Sequence, residues 1–176
     1  MQALINACAT PDFPADVVAV ISNKVDAGGL TIAESHGITT AVCSHKDFAN
    51  KTEFETALTD IIHSHKPDIV CLAGFMRVLG PTYFERIAVP TLNIHPSLLP
   101  KHKGLHTHEA VLDAGDTEHG CTVHIVTELL DDGEFIVQKS IPVMADDTVD
   151  SLAARLLVEE HKAYPEAIIA MAAKHH

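Results

Sequence analysis

The stretch Leu92-Asn93-Ile94-His95-Pro96-Ser97-Leu98-Leu99-Pro100 carries the strongest structural and chemical signal in this chain. Its apolar start, together with the residue before it, is typical of a buried strand, and the proline at its fifth position ends that strand. Side chains two residues apart on a strand leave the same face, so we expect Asn93 and His95 to point to one side. An amide N–H and a protonated imidazole can both donate to one oxygen, which is how an oxyanion is stabilised.

An acidic loop follows later in the chain, in the run Leu129-Leu130-Asp131-Asp132-Gly133. An aspartate beside an imidazole favours the charged form of the imidazole, and so keeps it a hydrogen-bond donor near neutral pH. Asn93, His95 and Asp131 together therefore supply groups that could run an acyl transfer. The short Asn-x-His pattern alone also fits an asparagine that caps a turn and an ordinary histidine at a strand end.

Apolar strands alternate with helical stretches, which predicts an α/β, Rossmann-like fold with a mostly parallel sheet flanked by helices. We expect buried strands at residues 17–21, 39–43, 69–73 and 91–94. Helices are expected at residues 1–9, 27–36, 53–65, 81–87, 107–114 and 148–173. Residues 121–127 and 135–144 read as an antiparallel C-terminal strand pair around the acidic loop.

Length and composition predict a single domain over residues 1–176, with a hydrophobic content of 47%. Lys and Arg number 12 against 24 Asp and Glu, and they form no dense cluster, so we expect no nucleic-acid partner. No apolar run reaches membrane-spanning length, so we expect no membrane partner. The four cysteines lack Cys-x-x-Cys spacing, which favours a reduced protein in the cytoplasm.

Longer motifs resemble the phosphoribosylglycinamide formyltransferase family, the folate-dependent enzymes of purine synthesis. The resemblance runs in order through residues 72–77, 93–100, 104–108, 119–127 and 160–165. It implies a single formyltransferase domain in which Asn93, His95 and Asp131 are the catalytic residues. It also implies that the amine of glycinamide ribonucleotide takes a formyl group from 10-formyltetrahydrofolate, the co-substrate, with no metal. Small molecules are then the expected partners of a monomer or homodimer.

The resemblance also assigns binding residues. Folate is expected to contact the residues Lys51, Met76, Arg77, Val78, Leu79, Asn93, Thr127, Glu128, Leu129, Leu130 and Asp131. Glycinamide ribonucleotide is expected to contact Pro96, Gly104, His106, His108 and Glu160.

Three other functions share the folate motifs. Formyltetrahydrofolate deformylase and methionyl-tRNA formyltransferase have similar catalytic motifs, but they usually carry a further regulatory or basic RNA-binding domain. A truncated, non-catalytic folate-binding relative is the third alternative. A metal site built from His106, His108, His119 and His124 competes with the ribonucleotide role of the first two of these residues.

The start of the chain departs from the family pattern. Family members begin with a strand and a Gly-x-Gly-Ser-Asn loop immediately before the helix that here begins at Met1. Such a loop binds the ribonucleotide phosphate with backbone N–H groups and the helix dipole. We therefore expect a chain that is N-terminally truncated relative to the family and that binds the ribonucleotide more weakly than folate, which leaves its activity to be tested.

Overall fold

A computed structural model describes residues 1–174 and divides the chain into two compact units. The first unit holds Met1–Val70 and Gly74–Pro90, and the second holds Cys71–Ala73 and the described residues from Thr91 onward. The single domain expected over residues 1–176 stays a prediction, and its last two residues lie outside the described part of the chain. No helix within residues 1–174 is both long enough and apolar enough to cross a membrane.

The first unit follows the predicted alternation of strand and helix. Its elements are α1 (Gln2–Cys8), β1 (Ala19–Ser22), α2 (Gly28–Ser35), β2 (Thr39–Val42), a 3₁₀ turn (His45–Asp47), α3 (Lys51–Ser64) and α4 (Pro81–Arg86). Strands β1 and β2 pair in parallel, with Ala19 opposite Thr39 and Ser22 opposite Val42. A parallel pair needs a crossover connection, which α2 supplies.

Helix α3 begins at Lys51, two residues before the predicted start. Asn50 explains the difference, because its side chain accepts a hydrogen bond from the Glu53 N–H at 2.9 Å. Glu53 in turn accepts from the Ala49 N–H at 3.2 Å, which completes a reciprocal cap around the first turn. A cap of this kind satisfies backbone donors that have no partner inside the helix.

The second unit contains most of a four-stranded sheet. Its strands lie in the order β3 (Val70–Leu72), β4 (Thr91–His95), β5 (Glu118–Ile125) and β6 (Phe135–Pro142). The predicted antiparallel pair is confirmed as β5 and β6, and β4 also pairs with β5 in antiparallel fashion. The antiparallel part of the sheet thus extends one strand further than predicted, because β5, which follows the short helix α5 (Thr107–Ala114), runs back beside β4.

The long helix α6 (Val149–Lys174) provides much of the core of the second unit. Thr148 and Ser151 exchange hydrogen bonds between side chain and backbone N–H, as the sequence predicts for the helix start. The hydroxyl of Tyr164 lies 2.9 Å from the carbonyl oxygens of both Leu72 and Leu92, and so ties the helix to two strands. The α/β fold with an antiparallel C-terminal pair is thereby confirmed.

Candidate active site

Strand β4 places Asn93 and His95 on one face of the sheet. In the antiparallel ladder with β5, Asn93 lies opposite His124 and His95 lies opposite Thr122. Directly opposite residues share a face, so the same side of the sheet also carries these two β5 side chains. His95, Thr122 and His124 are buried, at 5%, 0% and 2% exposure. The alternation of side chains along β4 and β5 therefore places a group of polar side chains on one buried face of the sheet.

The loop between β5 and β6 brings Asp131 to this patch. Its Oδ2 atom lies 3.5 Å from His95 Nδ1, and its Oδ1 atom lies 3.7 Å from His124 Nε2. Oδ2 also accepts a hydrogen bond from the Gly104 N–H at 2.9 Å. Asp131 adopts a left-handed backbone with φ of 49°, which aspartate tolerates better than most residues. The carboxylate is thus buried and approached by two imidazoles.

Gly133 closes the loop that carries Asp131. A Cβ atom at this position would lie 1.7 Å from the carbonyl oxygen of Ile125, so only glycine fits. The neighbouring Ile125 N–H donates to the Glu134 carbonyl oxygen at 2.9 Å, which joins the two ends of the loop. Asp132 forms an ion pair with Lys103 on the outer side of the loop. Leu129 and Leu130, both expected to contact folate, are exposed.

Backbone carbonyls fix the tautomers of the two imidazoles. His95 Nε2 lies 2.9 Å from the carbonyl oxygen of His102, and His124 Nδ1 lies 3.0 Å from that of Ile125. A carbonyl oxygen only accepts hydrogen bonds, so each of these nitrogens carries the hydrogen. The remaining nitrogens, His95 Nδ1 and His124 Nε2, both face Asp131. A hydrogen bond from either imidazole to the Asp131 carboxylate therefore needs a second proton on that ring, which makes the ring an imidazolium.

The surroundings of His124 disfavour its charged form. Burial lowers the pKa of His124, and the hydrogen bond to Ile125 and the charge of Asp131 oppose this effect only in part. His124 Nε2 has no hydrogen-bond partner among residues 1–174.

The sequence analysis includes His124 in a family motif and in the alternative metal site, but it does not predict the position of His124 beside Asp131. The signal was present, because the alternation of β5 puts Thr122 and His124 on the face that Asn93 and His95 share. The contact between Gly104 and Asp131, by contrast, joins positions 27 residues apart and needs the folded loop.

The residues expected to bind the ribonucleotide occupy several places in the second unit. Gly104 contacts the Asp131 carboxylate, and Pro96 follows β4 directly. His106 is exposed, and its Nδ1 lies 2.9 Å from Glu109 Oε2. His108 Nδ1 lies 2.8 Å from His119 Nε2. Two of these residues thus lie directly at predicted catalytic residues: Gly104 donates to Asp131, and Pro96 is the chain neighbour of His95.

Glu160, also assigned to the ribonucleotide, lies on α6. Burial raises the pKa of its carboxyl group.

Burial lowers the pKa of His119 to about 4, and the nearby His108 is the next largest cause. Burial lowers the pKa of His108 as well, so the charged form of either ring in the His108–His119 pair is disfavoured.

Part of the predicted folate contact lies in the first unit. Met76 and Val78 are exposed at 78% and 64%, which suits an apolar wall for a ligand. The Arg77 guanidinium lies over the Phe54 ring at 5.8 Å, whereas the Leu79 side chain is buried. Lys51 Nζ lies 3.6 Å from Glu55 Oε1. The assignment of these residues to folate stays a prediction.

The alternative of a four-histidine metal site has no support in the geometry. His106 pairs with Glu109, His108 pairs with His119, and His124 faces Asp131 instead. Within the described residues, no group of three or more His, Cys, Asp or Glu side chains is arranged to hold a metal ion.

Comparison with known proteins gives a consistent result. The family model described as "Formyl transferase" matches residues 1–168. The chain is 46% identical over 165 residues to phosphoribosylglycinamide formyltransferase of Escherichia coli, covering 94% of this chain and 78% of that protein. It is 47% identical over 168 residues to the trifunctional purine biosynthetic protein adenosine-3 of Bos taurus, covering 96% of this chain but only 17% of the bovine protein.

Solved structures show the same likeness. Phosphoribosylglycinamide formyltransferase from Brucella melitensis is 50% identical with a TM-score of 0.89, and the match covers 98% of this chain and 89% of that one. Glycinamide ribonucleotide transformylase 1 from Symbiobacterium toebii is 39% identical with a TM-score of 0.94, and the match covers 98% of this chain and 82% of that one.

Proposed function

The chain belongs to the formyl transferase family, and we propose that it transfers a formyl group from 10-formyltetrahydrofolate to the amine of glycinamide ribonucleotide in purine biosynthesis. Relatives that carry this enzyme name match nearly the whole chain. The observation that carries the proposal is the buried approach of His95 Nδ1 to Asp131 Oδ2 at 3.5 Å. It supports the proposal because a carboxylate there favours an imidazolium, which can donate to an oxyanion together with the amide of Asn93 on the same strand face.

The proposed reaction begins when the ribonucleotide amine attacks the formyl carbon. A new C–N bond forms, and the formyl oxygen becomes an oxyanion in a tetrahedral adduct. The Nε2–H of His95 is already committed to the His102 carbonyl, so Nδ1–H is its available donor to that oxygen. The Asn93 side-chain N–H is the second proposed donor.

Asp131 acts on the imidazole rather than on the substrate in this proposal. Its negative charge stabilises the imidazolium, and the Gly104 N–H fixes the direction of the carboxylate. When the adduct collapses, the bond from the formyl carbon to the folate nitrogen breaks, and that nitrogen takes up a proton while the attacking amine loses one. The buried pair of His95 and Asp131 is proposed to pass the proton from the amine to the folate nitrogen, directly or through one water.

We further propose that folate contacts Lys51, Asn93 and residues 76–79 and 127–131, and that the ribonucleotide contacts Pro96, Gly104, His106, His108 and Glu160. The exposed apolar side chains of Met76, Val78 and Leu129 support the first assignment. The proposal includes a monomer or homodimer that acts on small molecules, without metal, nucleic acid or membrane. A cytoplasmic location is supported by four cysteines that form no disulfide.

Product analysis with different acceptors tests the proposed function. The purified chain is incubated with 10-formyltetrahydrofolate and either glycinamide ribonucleotide, methionyl-tRNA or no acceptor, and mass spectrometry follows the formyl group. We expect formylated ribonucleotide only. Formate without an acceptor would indicate a deformylase, formylmethionyl-tRNA would indicate the tRNA enzyme, and folate binding with no product would indicate a non-catalytic relative. Each of these three results contradicts the proposal.

A further inference from the structure

The His102 carbonyl that receives the Nε2–H of His95 lies on an unusual piece of backbone. His102 has a φ of 51°, in the left-handed region that non-glycine residues rarely occupy. This conformation is unfavourable for an ordinary residue, because its Cβ atom comes too close to the following carbonyl oxygen. It persists only where surrounding contacts hold it. The Ser97 hydroxyl holds the preceding carbonyl of Lys101, and the side chain of His102 makes a further contact.

Asp116 holds the His102 side chain. Its Oδ2 atom lies 2.8 Å from His102 Nε2, and each side chain is about one-fifth exposed. The hydrogen bond from His102 is the largest cause of the lowered pKa of Asp116, ahead of the bond from Lys101, whose Nζ lies 3.3 Å from Oδ1. The imidazole thus donates to an ionised carboxylate, a bond stronger than a neutral one.

Asp116 is itself fixed by the end of helix α5. Its backbone N–H donates to the Val111 carbonyl oxygen at 3.1 Å, and the Gly115 N–H donates to that of Leu112 at 3.1 Å. Gly115 adopts the left-handed conformation that this type of helix end requires. A helix end therefore anchors the carboxylate that anchors His102.

We propose that Asp116 and His102 form a positioning pair that sets the orientation and tautomer of His95 through the His102 backbone carbonyl. The pair touches neither substrate nor the reacting atoms. It keeps the His102 carbonyl oxygen in position to accept the hydrogen bond from His95 Nε2–H, so that Nδ1 faces Asp131. The inference rests on the proposed function for its kinetic consequence, but the tautomer of His95 does not depend on that function.

The decisive variant is Asp116→Ala, studied in the full chain. Nitrogen-15 NMR of the His95 imidazole, assigned by its loss in His95→Gln, reports the tautomer at a pH where the ring is neutral. We expect Nε2–H alone in the unmodified chain and a mixture of both tautomers in Asp116→Ala. The formyl-transfer kcat is expected to fall about tenfold with KM unchanged, since a misplaced catalytic group slows the reaction without loss of binding.

Conservative and matched variants separate positioning from a general structural effect. Asp116→Asn keeps an acceptor for His102 Nε2–H, so we expect it to restore the single tautomer and most of kcat. Lys101→Met removes the other partner of Asp116, and Asp113→Ala removes an exposed carboxylate of the same helix; both should match the unmodified chain. If Asp116→Ala does not fold, His102→Gly deletes the imidazole at a position where glycine relieves the backbone, and the same mixture is expected.

An unchanged tautomer in Asp116→Ala and in His102→Gly overturns the inference, as does a kcat that stays the same despite a tautomer mixture. The NMR result needs no turnover. If the chain transfers no formyl group at all, the proposed function fails, while the tautomers of these variants still decide whether the positioning pair exists.

Discussion

His95 and Asp131 approach each other to 3.5 Å between Nδ1 and Oδ2, and both side chains are 7% exposed. Burial reduces competition from water, so a charge on one group acts strongly on the other. The opposite nitrogen of His95 donates to a backbone carbonyl, which leaves Nδ1 as the nitrogen that serves both the carboxylate and the proposed oxyanion. That division of roles makes Asn93 and Asp131 the two neighbours of His95 whose substitution should affect the reaction most directly.

Asn93→Ala should lower the formyl-transfer kcat about a hundredfold, as expected when one oxyanion donor is removed. Asn93 is only half-buried in β4, so the thermal unfolding midpoint should change little. Steady-state kinetics and thermal unfolding measure the two effects. Asn6→Ala, at an exposed position of α1, is the matched control. A kcat within threefold of the unmodified chain would remove Asn93 from the oxyanion site.

Asp131→Asn should lower kcat strongly. It should also move the pKa that controls the pH–rate profile to a lower value. Asparagine tolerates the left-handed backbone and still accepts the Gly104 N–H, so the variant removes chiefly the charge. The charged form of His95 then loses its stabilising anion. Asp132→Asn, which removes the adjacent charge paired with Lys103, should leave the profile in place. If both variants keep the pH–rate profile of the unmodified chain, the charge of Asp131 does not act on His95.

Gly133→Ala should reduce both stability and activity. Its new Cβ would meet the Ile125 carbonyl oxygen at 1.7 Å, so the loop must move and carry Asp131 with it. Gly37→Ala is the control, because Gly37 has a φ of 70° with no atom near its would-be Cβ. That control should lose about 1 kcal/mol of unfolding free energy from backbone strain and keep its kcat. Full activity in Gly133→Ala would show that the loop position does not matter.

The stability of the fold should decrease as the pH falls from about 6.5 to about 4, in part because of His119. Its pKa is lowered from 6.5 to about 4 in the folded chain, chiefly by burial. The unfolded chain therefore binds more protons in this window, and the free energy of unfolding rises with pH through it. The penalty is absent above pH 6.5 and amounts to roughly 3 kcal/mol once the pH is below the folded pKa.

Urea unfolding of the unmodified chain and of His119→Gln at a series of pH values measures this contribution. The variant should show a shallower dependence on pH between about 4 and 6.5. His161→Gln, at an exposed position of α6, should keep the slope of the unmodified chain. If all three chains share one slope, the buried imidazole does not set the acid sensitivity.

The sequence predicted most of the fold because its signals were local. The Thr107–Ala114 helix has the predicted bounds, and the strand that carries Asn93 and His95 follows from its apolar residues and terminal proline. Start positions failed where capping decides them, as at Asn50, or where pairing extends a strand, as for β5, which begins at Glu118 rather than Cys121 because Glu118 pairs with Pro142.

The candidate site was predictable only in part. Period-two spacing joins Asn93 to His95, and the family resemblance adds Asp131. The hydrogen bond between His95 Nε2 and the His102 carbonyl accompanies a left-handed backbone at His102, which the sequence around His102 does not predict. The His102 side chain contacts Asp116, which lies 14 positions away in sequence and is held in place by the end of helix α5. Such contacts arise from tertiary structure, which single-residue patterns do not encode.

The most direct test of the account compares formyl transfer to glycinamide ribonucleotide by the unmodified chain and by His95→Gln, which keeps a side chain of similar size. Formylated ribonucleotide is quantified by mass spectrometry over a time course with saturating substrates, and circular dichroism checks that both chains are folded. We predict formylated product from the unmodified chain and a rate at least about a hundredfold lower from the variant, as for loss of an oxyanion donor. Equal rates, or no formylated ribonucleotide from the folded, unmodified chain, would contradict the account.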